Sequence, residues 1–226
     1  MTKLVYIIFT LFLLSGCNAK ETENVKEEKI ITTLIPAIID STCMDLRIYE
    51  FPPPMPKSIY DKNNKFIGFD SSHLSKDSAL YKSKLDSLDN DTGTLYLGFD
   101  PVLYDVEKRY KNELFSHFKI KIESVTQSRT QLKIPYKNIL TGKKFKLVIS
   151  SKIPKINKSE SIFRGYGGNF SGYFSISRIY FDQEKKFGVL TAAYFCGSRC
   201  GQGYTIFIKK VNNKWIIDEI EDTWIA

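Results

Sequence analysis

The chain has 226 residues, of which 42% are apolar and 14% aromatic, and its formal net charge is +8. This composition is sufficient for a packed core and excludes an intrinsically disordered chain, and the length allows one domain or two small ones. Nucleic acid is not an expected partner, because the chain carries no recognition motif of nucleic-acid-binding proteins.

The first 17 residues predict a lipoprotein signal. Lys3 is followed by an apolar run from Leu4 to Leu14. The run has the length of a signal-peptide core and is too short for a transmembrane helix. The run ends in the sequence LSGC, which resembles the lipobox of bacterial lipoproteins. That resemblance implies that residues 1–16 are removed and that Cys17 carries lipid.

The residues after the signal predict a tether and a cellular location. Residues 17–29 are mostly polar and charged, and they are interpreted as a flexible tether ahead of a single domain of residues 30–226. Asn18 stands where some Gram-negative lipoproteins of the inner membrane carry aspartate. An outer-membrane lipoprotein that faces either the periplasm or the cell surface is therefore expected.

The N-terminal half of the domain predicts two helices. Residues 29–46 place apolar side chains at helical spacing around Pro36, which predicts a kinked amphipathic helix. Asp100 is a suitable N-cap, and the proline after it suits a first helical turn, so a second helix is predicted to about residue 116. A short helix near residues 78–88 also fits the pattern.

Apolar and alternating runs predict the strands, and they are most regular towards the C-terminus. The predicted strands are residues 94–99, 118–122, 131–136, 145–150, 173–181, 187–195, 204–211 and 215–220. Short connections between the last four predict an antiparallel β-meander within residues 173–224. The expected fold class is α+β, with N-terminal helices, an antiparallel sheet and this four-stranded meander.

Cys196 and Cys200 bracket the glycine-rich connection between the second and third strands of the meander. A thioredoxin-like redox site would need two intervening residues and a helix N-terminus, which this stretch does not provide. A structural zinc site would need four ligands, and only Cys43, His73 and His117 remain, scattered along the chain. In an oxidising envelope a disulfide is the simplest expectation, and it leaves Cys43 as a buried thiol.

Three C-terminal stretches carry a resemblance to a known class of proteins. SISRIYFD, FGVLTAAYFCGSRCGQGYTIFIKK and NNKWIIDEIEDTWIA together resemble the C-terminal module of uncharacterised Gram-negative lipoproteins. The shared pattern is an aromatic-rich strand, a CG-x-x-CG-x-G turn, a strand with Lys-Trp and a late tryptophan. The resemblance implies a shared fold and no known activity. A more distant similarity is to the cone-shaped fold of nuclear transport factor 2.

Two stretches are candidates for a binding surface. Residues 124–159 contain many lysines and no aspartate or glutamate, so they form either a basic binding face or merely a solvated side of strands. Residues 164–170 combine glycine with aromatic side chains, either as a sugar-stacking surface or as an ordinary loop. The candidate binding residues are Lys143, Lys144, Lys146, Arg164, Tyr166 and Phe170.

No arrangement in the sequence predicts a catalytic residue, a cofactor or a metal site. His117 ends the second predicted helix, where a cation interacts favourably with the helix dipole. Regular alternation would put Asp218 and Asp222 on a different strand face from Glu219 and Glu221. These carboxylates are interpreted as a charged strand edge, and the alternative is the acid pair of a glycosidase.

The expected function is a non-enzymatic, lipid-anchored envelope module that binds a protein or a glycan. The alternative is a hydrolase that uses carboxylates on an envelope glycan. A deep pocket with convergent carboxylates of raised pKa would favour the hydrolase, and a shallow basic or aromatic face would favour the binding module.

Overall fold

The computed structural model describes residues 23–121, 131–139, 141, 144–153, 169–197 and 200–226. Within these ranges the helices are α1 (Glu23–Thr42), α2 (Leu74–Asn90) and α3 (Lys108–His117). The strands are β1 (Lys57–Tyr60), β2 (Phe66–Asp70), β3 (Leu95–Phe99), β4 (Val102–Leu103), β5 (Leu132–Lys133), β6 (Phe145–Ile149), β7 (Phe170–Ile176), β8 (Tyr180–Phe181), β9 (Phe187–Gly197), β10 (Cys200–Val211) and β11 (Lys214–Ile225). Short 3-10 helices are Leu46–Glu50, Tyr136–Asn138 and Ser150–Lys152.

The main sheet has the strand order β11-β10-β9-β7-β3-β6, and β8 also pairs with β9. Its C-terminal part is the predicted antiparallel meander, in which β9 pairs with β7, β8 and β10, and β10 pairs with β11. The two-residue turn Asn212–Asn213 has φ values of 48° and 63°, as a tight hairpin turn requires. The predicted α+β class is confirmed.

The other half of the sheet is parallel. β3 pairs in parallel with both β6 and β7, so the sheet is mixed rather than antiparallel throughout. This arrangement leaves β6 at one end of the strand order and β11 at the other. The two described edge strands therefore differ in charge: β6 carries one lysine and no carboxylate, and β11 carries four carboxylates.

Helix α1 covers one face of the sheet. Its apolar stripe includes Ile31, Ile35 and Ile38, which are fully buried, and the helix continues through Pro36. It begins at Glu23, so residues 23–29 are helical, in contrast to the flexible tether predicted there. The physical reason is tertiary, because the side chain of Glu27 is buried against the sheet.

Helix α3 covers the opposite face and forms a second, smaller core with the sheet. Leu114 and Phe115 pack there against Val189 and Phe207, whereas Leu190 belongs to the core beneath α1. Successive residues of β9 thus point to opposite faces, as the strand geometry requires. The meander is consequently the middle layer between two helices.

Three predictions around α3 are wrong in part. The second predicted helix is present, but it begins at Lys108 rather than after Asp100. Asp100 accepts a hydrogen bond from the Val102 backbone at 3.0 Å and caps a turn, after which β4 pairs with β5 before α3 begins. Of the stretch predicted as strand 118–122, the described residues 118–121 instead follow α3 in a turn, in which Lys119 has a φ of 53°, and residue 122 lies outside the described residues. Within the predicted strand 131–136 only the two residues of β5 are extended in a ladder.

The predicted disulfide is confirmed. Cys196 ends the regular part of β9, Cys200 starts β10, and their Cα atoms lie 5.1 Å apart. That separation suits a disulfide bond. Cys43 is a free, half-buried thiol after α1, and burial raises its pKa to about 12.

Candidate functional site

A groove of about 560 Å³ runs along the edge strand β6. All five residues of the strand line it, and the segment before the strand contributes Tyr136, Lys137 and Ile139. Phe145 and Leu147 are buried at 8% and 6% exposure, so their side chains belong to the apolar core of the domain. The groove is therefore lined both by an apolar strand and by polar side chains next to that strand.

The backbone of β6 turns some of its hydrogen-bonding groups away from β3, towards the outer edge of the sheet. The Leu95 N–H of β3 donates to the Lys144 carbonyl at 2.8 Å, which fixes the phase of the parallel ladder. In that phase Lys146 turns its backbone polar groups towards β3, and Leu147 turns its groups outwards. The Ile149 N–H also turns outwards, whereas the Ile149 C=O accepts the first hydrogen bond of the 3-10 helix Ser150–Lys152. Among the described residues no strand pairs with this outer edge.

The charge of the groove is positive. Lys137, Lys146 and Lys152 line it with exposed side chains, and Lys144 contributes its stem. None of the described residues that line the groove is acidic. A concave surface that is lined by positive charges attracts anionic groups.

The ammonium of Lys144 is held by the body of the domain. It donates to the Leu88 carbonyl in the last turn of α2 and lies 4.0 Å from an Asp45 carboxylate oxygen. Arg47 links the same Asp45 to Asp91 and holds the pKa of the Asp91 carboxyl below its usual value. Lys144 therefore fixes the start of β6, whereas the exposed side chain of Lys146 forms no ion pair with any residue that the structure describes.

The predicted binding residues are only partly brought together. Lys144 and Lys146 line the same groove. Phe170 is 1% exposed at the start of β7 and contacts Tyr173 edge to face, so its ring is not available to a ligand. Lys143, Arg164 and Tyr166 lie outside the described residues.

Sequence reasoning missed the contributions of Tyr136, Lys137 and Lys152 to this groove. All three belong to the acid-free stretch 124–159, which was the available signal. Their convergence depends on the parallel pairing of β3 with β6, a long-range contact that no local pattern of residues indicates.

A second group of polar side chains lies at the opposite edge of the sheet. The His117 Nε2 is 3.0 Å from an Asp218 carboxylate oxygen, and its Nδ1 is 3.6 Å from a Glu219 carboxylate oxygen. The predicted separation of Asp218 from Glu219 onto opposite faces is wrong, because the strand is irregular at this point. Phe207 pairs with Glu219 and Ile208 with Ile217, so Asp218 occupies a β-bulge.

Among the described residues, every carboxyl group whose pKa is displaced has a pKa below its usual value. Hydrogen bonds to these carboxylates cause the displacement, and Lys209 is the main donor to Asp218, followed by His117. The general acid of a glycosidase needs the opposite displacement. The carboxyl groups with lowered pKa values are Asp70, Asp91, Glu184 and Asp218.

Comparison with known proteins gives no match to a family model, to a curated protein or to a solved structure. Of the helices that the structure describes, none is long and apolar enough to cross a bilayer. Interpretation of the β6 groove therefore depends on its own backbone, charge and position.

Proposed function

We propose that this protein is a lipid-anchored module of the cell envelope that binds an acidic polypeptide segment as an added strand along β6. The anchor is Cys17, expected from the LSGC motif, at an outer membrane that the module faces from the periplasm or the cell surface. The outer edge of β6, with which no strand of the described part of the chain pairs, is the single observation that carries the binding function.

An edge strand recognises a polypeptide through backbone hydrogen bonds. Leu147 has outward N–H and C=O groups, and Ile149 has an outward N–H, that can continue the ladder with an extended chain. β6 has five residues and therefore offers roughly 17 Å of strand. A glycan cannot reproduce this ladder, so the geometry favours a protein ligand over a glycan.

The lysines of the groove select the charge of that ligand. Lys137, Lys146 and Lys152 are exposed on the groove and have no acidic neighbour among the described lining residues. An acidic side chain at alternate positions of an added strand would meet them, since alternate residues of a strand share one face. The ligand class that fits is an extended acidic peptide segment.

The position of the groove also suits an anchored module. Glu27 contacts Arg178 near the start of α1, and Asp45, just beyond the end of that helix, lies beside Lys144 of the groove. Fifteen helical steps separate Glu27 from Thr42, which corresponds to roughly 23 Å. A lipid on Cys17 would thus hold the opposite end of α1, and the groove would stay open to a partner.

Fluorescence anisotropy with labelled peptides tests this proposal. The full-length protein in detergent is titrated with an alternating Glu-Val peptide, its Gln-Val counterpart and an N-methylated Glu-Val peptide that cannot form the ladder. We expect the Glu-Val peptide to bind at least tenfold more tightly than either of the other two. An acidic polysaccharide is the fourth probe, and tighter binding of that probe would contradict a polypeptide ligand.

Charge-reversal variants separate the groove from general electrostatics. We expect the groove variant to lose at least tenfold in affinity for the Glu-Val peptide and the control variant, with the same net charge, to lose less than twofold. Equal losses in both would contradict a site at β6. The groove variant is Lys137→Glu, Lys146→Glu and Lys152→Glu, and the control variant is Lys62→Glu, Lys76→Glu and Lys82→Glu, all at exposed lysines.

A further inference from the structure

One histidine and two glutamates meet where the end of α3 lies over the edge strand β11. His117 is the last residue of the helix, and Glu219 and Glu221 lie on the strand. Their potential ligand atoms all lie within 4.8 Å of one another. We propose that His117, Glu219 and Glu221 bind a divalent transition-metal ion, with zinc as the representative ion.

The orientation of the imidazole is the main argument for a metal. His117 Nε2 lies 3.0 Å from Asp218 Oδ2, and Nδ1 lies 3.6 Å from a Glu219 carboxylate oxygen. In the neutral tautomer with its proton on Nε2, the Nε2–H donates to Asp218 and the lone pair of Nδ1 faces Glu219. A histidine that binds a metal through one nitrogen commonly donates its other N–H to a carboxylate in this way. Asp218 is itself held by Lys209 Nζ at 2.5 Å.

The packing of the ring reinforces this orientation. The imidazole of His117 stacks on the ring of Phe207, with centroids 3.9 Å apart and planes 3° apart, and Phe118 meets its edge. The side chain is consequently only 16% exposed. Stacking fixes the plane of the ring, and the hydrogen bond to Asp218 fixes its rotation within that plane. The second ring nitrogen, Nδ1, therefore points in one defined direction.

The spacing of the donor atoms fits a small cation. His117 Nδ1 and the Glu219 carboxylate oxygen are 3.6 Å apart. Two ligand atoms bound to a tetrahedral zinc ion at about 2.0 Å each are separated by roughly 3.3 Å. The second carboxylate, from Glu221, lies within side-chain reach of the same point.

The negative charge of the neighbouring side chains also favours the binding of a cation. Glu113 precedes His117 by one helical turn and accepts a hydrogen bond from Thr205, the cross-strand partner of Glu221. Asp218, Glu219 and Glu221 thus lie close to one histidine, and Lys209 pairs with Asp218 alone among them in the contacts of the described residues. A divalent ion at this point would offset the excess of negative charge and connect α3 to β11.

Zinc binding to the full-length protein tests the site. The chelator-stripped protein in a Cys43→Ser background, which removes the free thiol as a ligand, is titrated with zinc chloride by isothermal titration calorimetry. We expect one ion per chain. A control at a histidine outside the cluster is His73→Gln, at the start of α2, which should leave zinc binding unchanged.

The carboxylate variants decide between this site and another. Glu219→Gln with Glu221→Gln alters only side chains on the edge strand, and it should weaken zinc binding at least tenfold. Asp218→Asn should weaken it by about tenfold or more through loss of the imidazole orientation, and Asp222→Asn should have no effect. Absence of zinc binding below millimolar concentration, or unchanged binding in the double variant, would overturn the proposal.

Discussion

Glu27 and Arg178 form a buried ion pair, with 2.6 Å between the Glu27 Oε2 and the Arg178 Nη2 and each side chain only 6% exposed. The other carboxylate oxygen of Glu27 accepts a hydrogen bond from the Ile179 N–H at 2.8 Å. The pair fastens the first turns of α1 to the connection between β7 and β8. The pair therefore holds the first described turns of α1 against the sheet.

Replacement of Glu27 by Gln should destabilise the protein strongly. The change leaves the guanidinium of Arg178 buried with its main charge partner removed, which costs about 3 kcal/mol or more. Urea unfolding at neutral pH measures the loss, and Glu28→Gln on the neighbouring helix position is the control. A loss below about 1 kcal/mol for Glu27→Gln would show that the pair does not hold α1 in place.

The ion pair between Arg47 and Asp91 should stabilise the fold at neutral pH and lose this effect in acid. The Arg47 guanidinium holds the pKa of Asp91 below its usual value of 3.8, so the folded state favours the ionised carboxyl. The contribution is therefore complete above that value and is lost as the pH falls through the lowered pKa. Urea unfolding should show that Asp91→Asn is less stable than the parent at pH 6, with the difference shrinking below pH 3.8. A difference that persists unchanged at pH 2 would contradict this assignment.

Cys43 should be unreactive in the folded protein. Burial raises its pKa to about 12, so very little of the reactive thiolate exists near pH 8. Labelling with iodoacetamide should be at least tenfold slower in the native protein than in urea. Fast native labelling would show that the thiol is solvated.

The bridge between Cys196 and Cys200 should add a modest amount of stability. It closes a loop with a sequence separation of four residues, for which the entropic contribution is roughly 2 kcal/mol. Unfolding of the Cys196→Ser, Cys200→Ser variant measures this loss, and peptide mapping of the unreduced parent checks the pairing. Recovery of Cys43 in a bridge would contradict the pairing.

Gly172 should not tolerate a side chain. Its φ is 103°, and a Cβ would lie 2.3 Å from the Phe195 carbonyl oxygen. Alanine at this position should cost at least about 1–3 kcal/mol. Gly197 is the control, because a Cβ there would meet nothing closer than 3.9 Å. Similar unfolding midpoints for the two alanine variants would show that the strand relaxes around residue 172.

The meander could be predicted from the sequence because its signals are local. Residues such as Val189 and Leu190 belong to long apolar runs, and Asn212 with Asn213 suits the hairpin turn that follows. The cysteine pair could be predicted for the same reason, since its two partners flank one short connection. Local pattern and tertiary structure agree in this part of the chain.

The remaining features depend on contacts between distant residues. Asp100 resembles a helix cap, and the pairing of β4 with β5 decides its role instead. The burial of Glu27 depends on its ion pair with Arg178, which lies far away in the sequence. Asp218 and Glu219 both face His117 because of a β-bulge, and the alternation of residue types along the strand does not indicate that bulge. The groove was predicted only as a basic stretch, because β6 becomes an edge through its parallel pairing with β3.

Amide hydrogen exchange on β6 tests the central claim most directly. The full-length protein is compared with and without saturating Glu-Val peptide, with the exchange of the Leu147 and Ile149 amides as the readout. An added strand would give these outward-facing amides hydrogen-bond partners, so we predict at least tenfold slower exchange at both, with the amides of β11 unchanged. Peptide binding that leaves Leu147 and Ile149 unprotected would contradict recognition at the β6 edge.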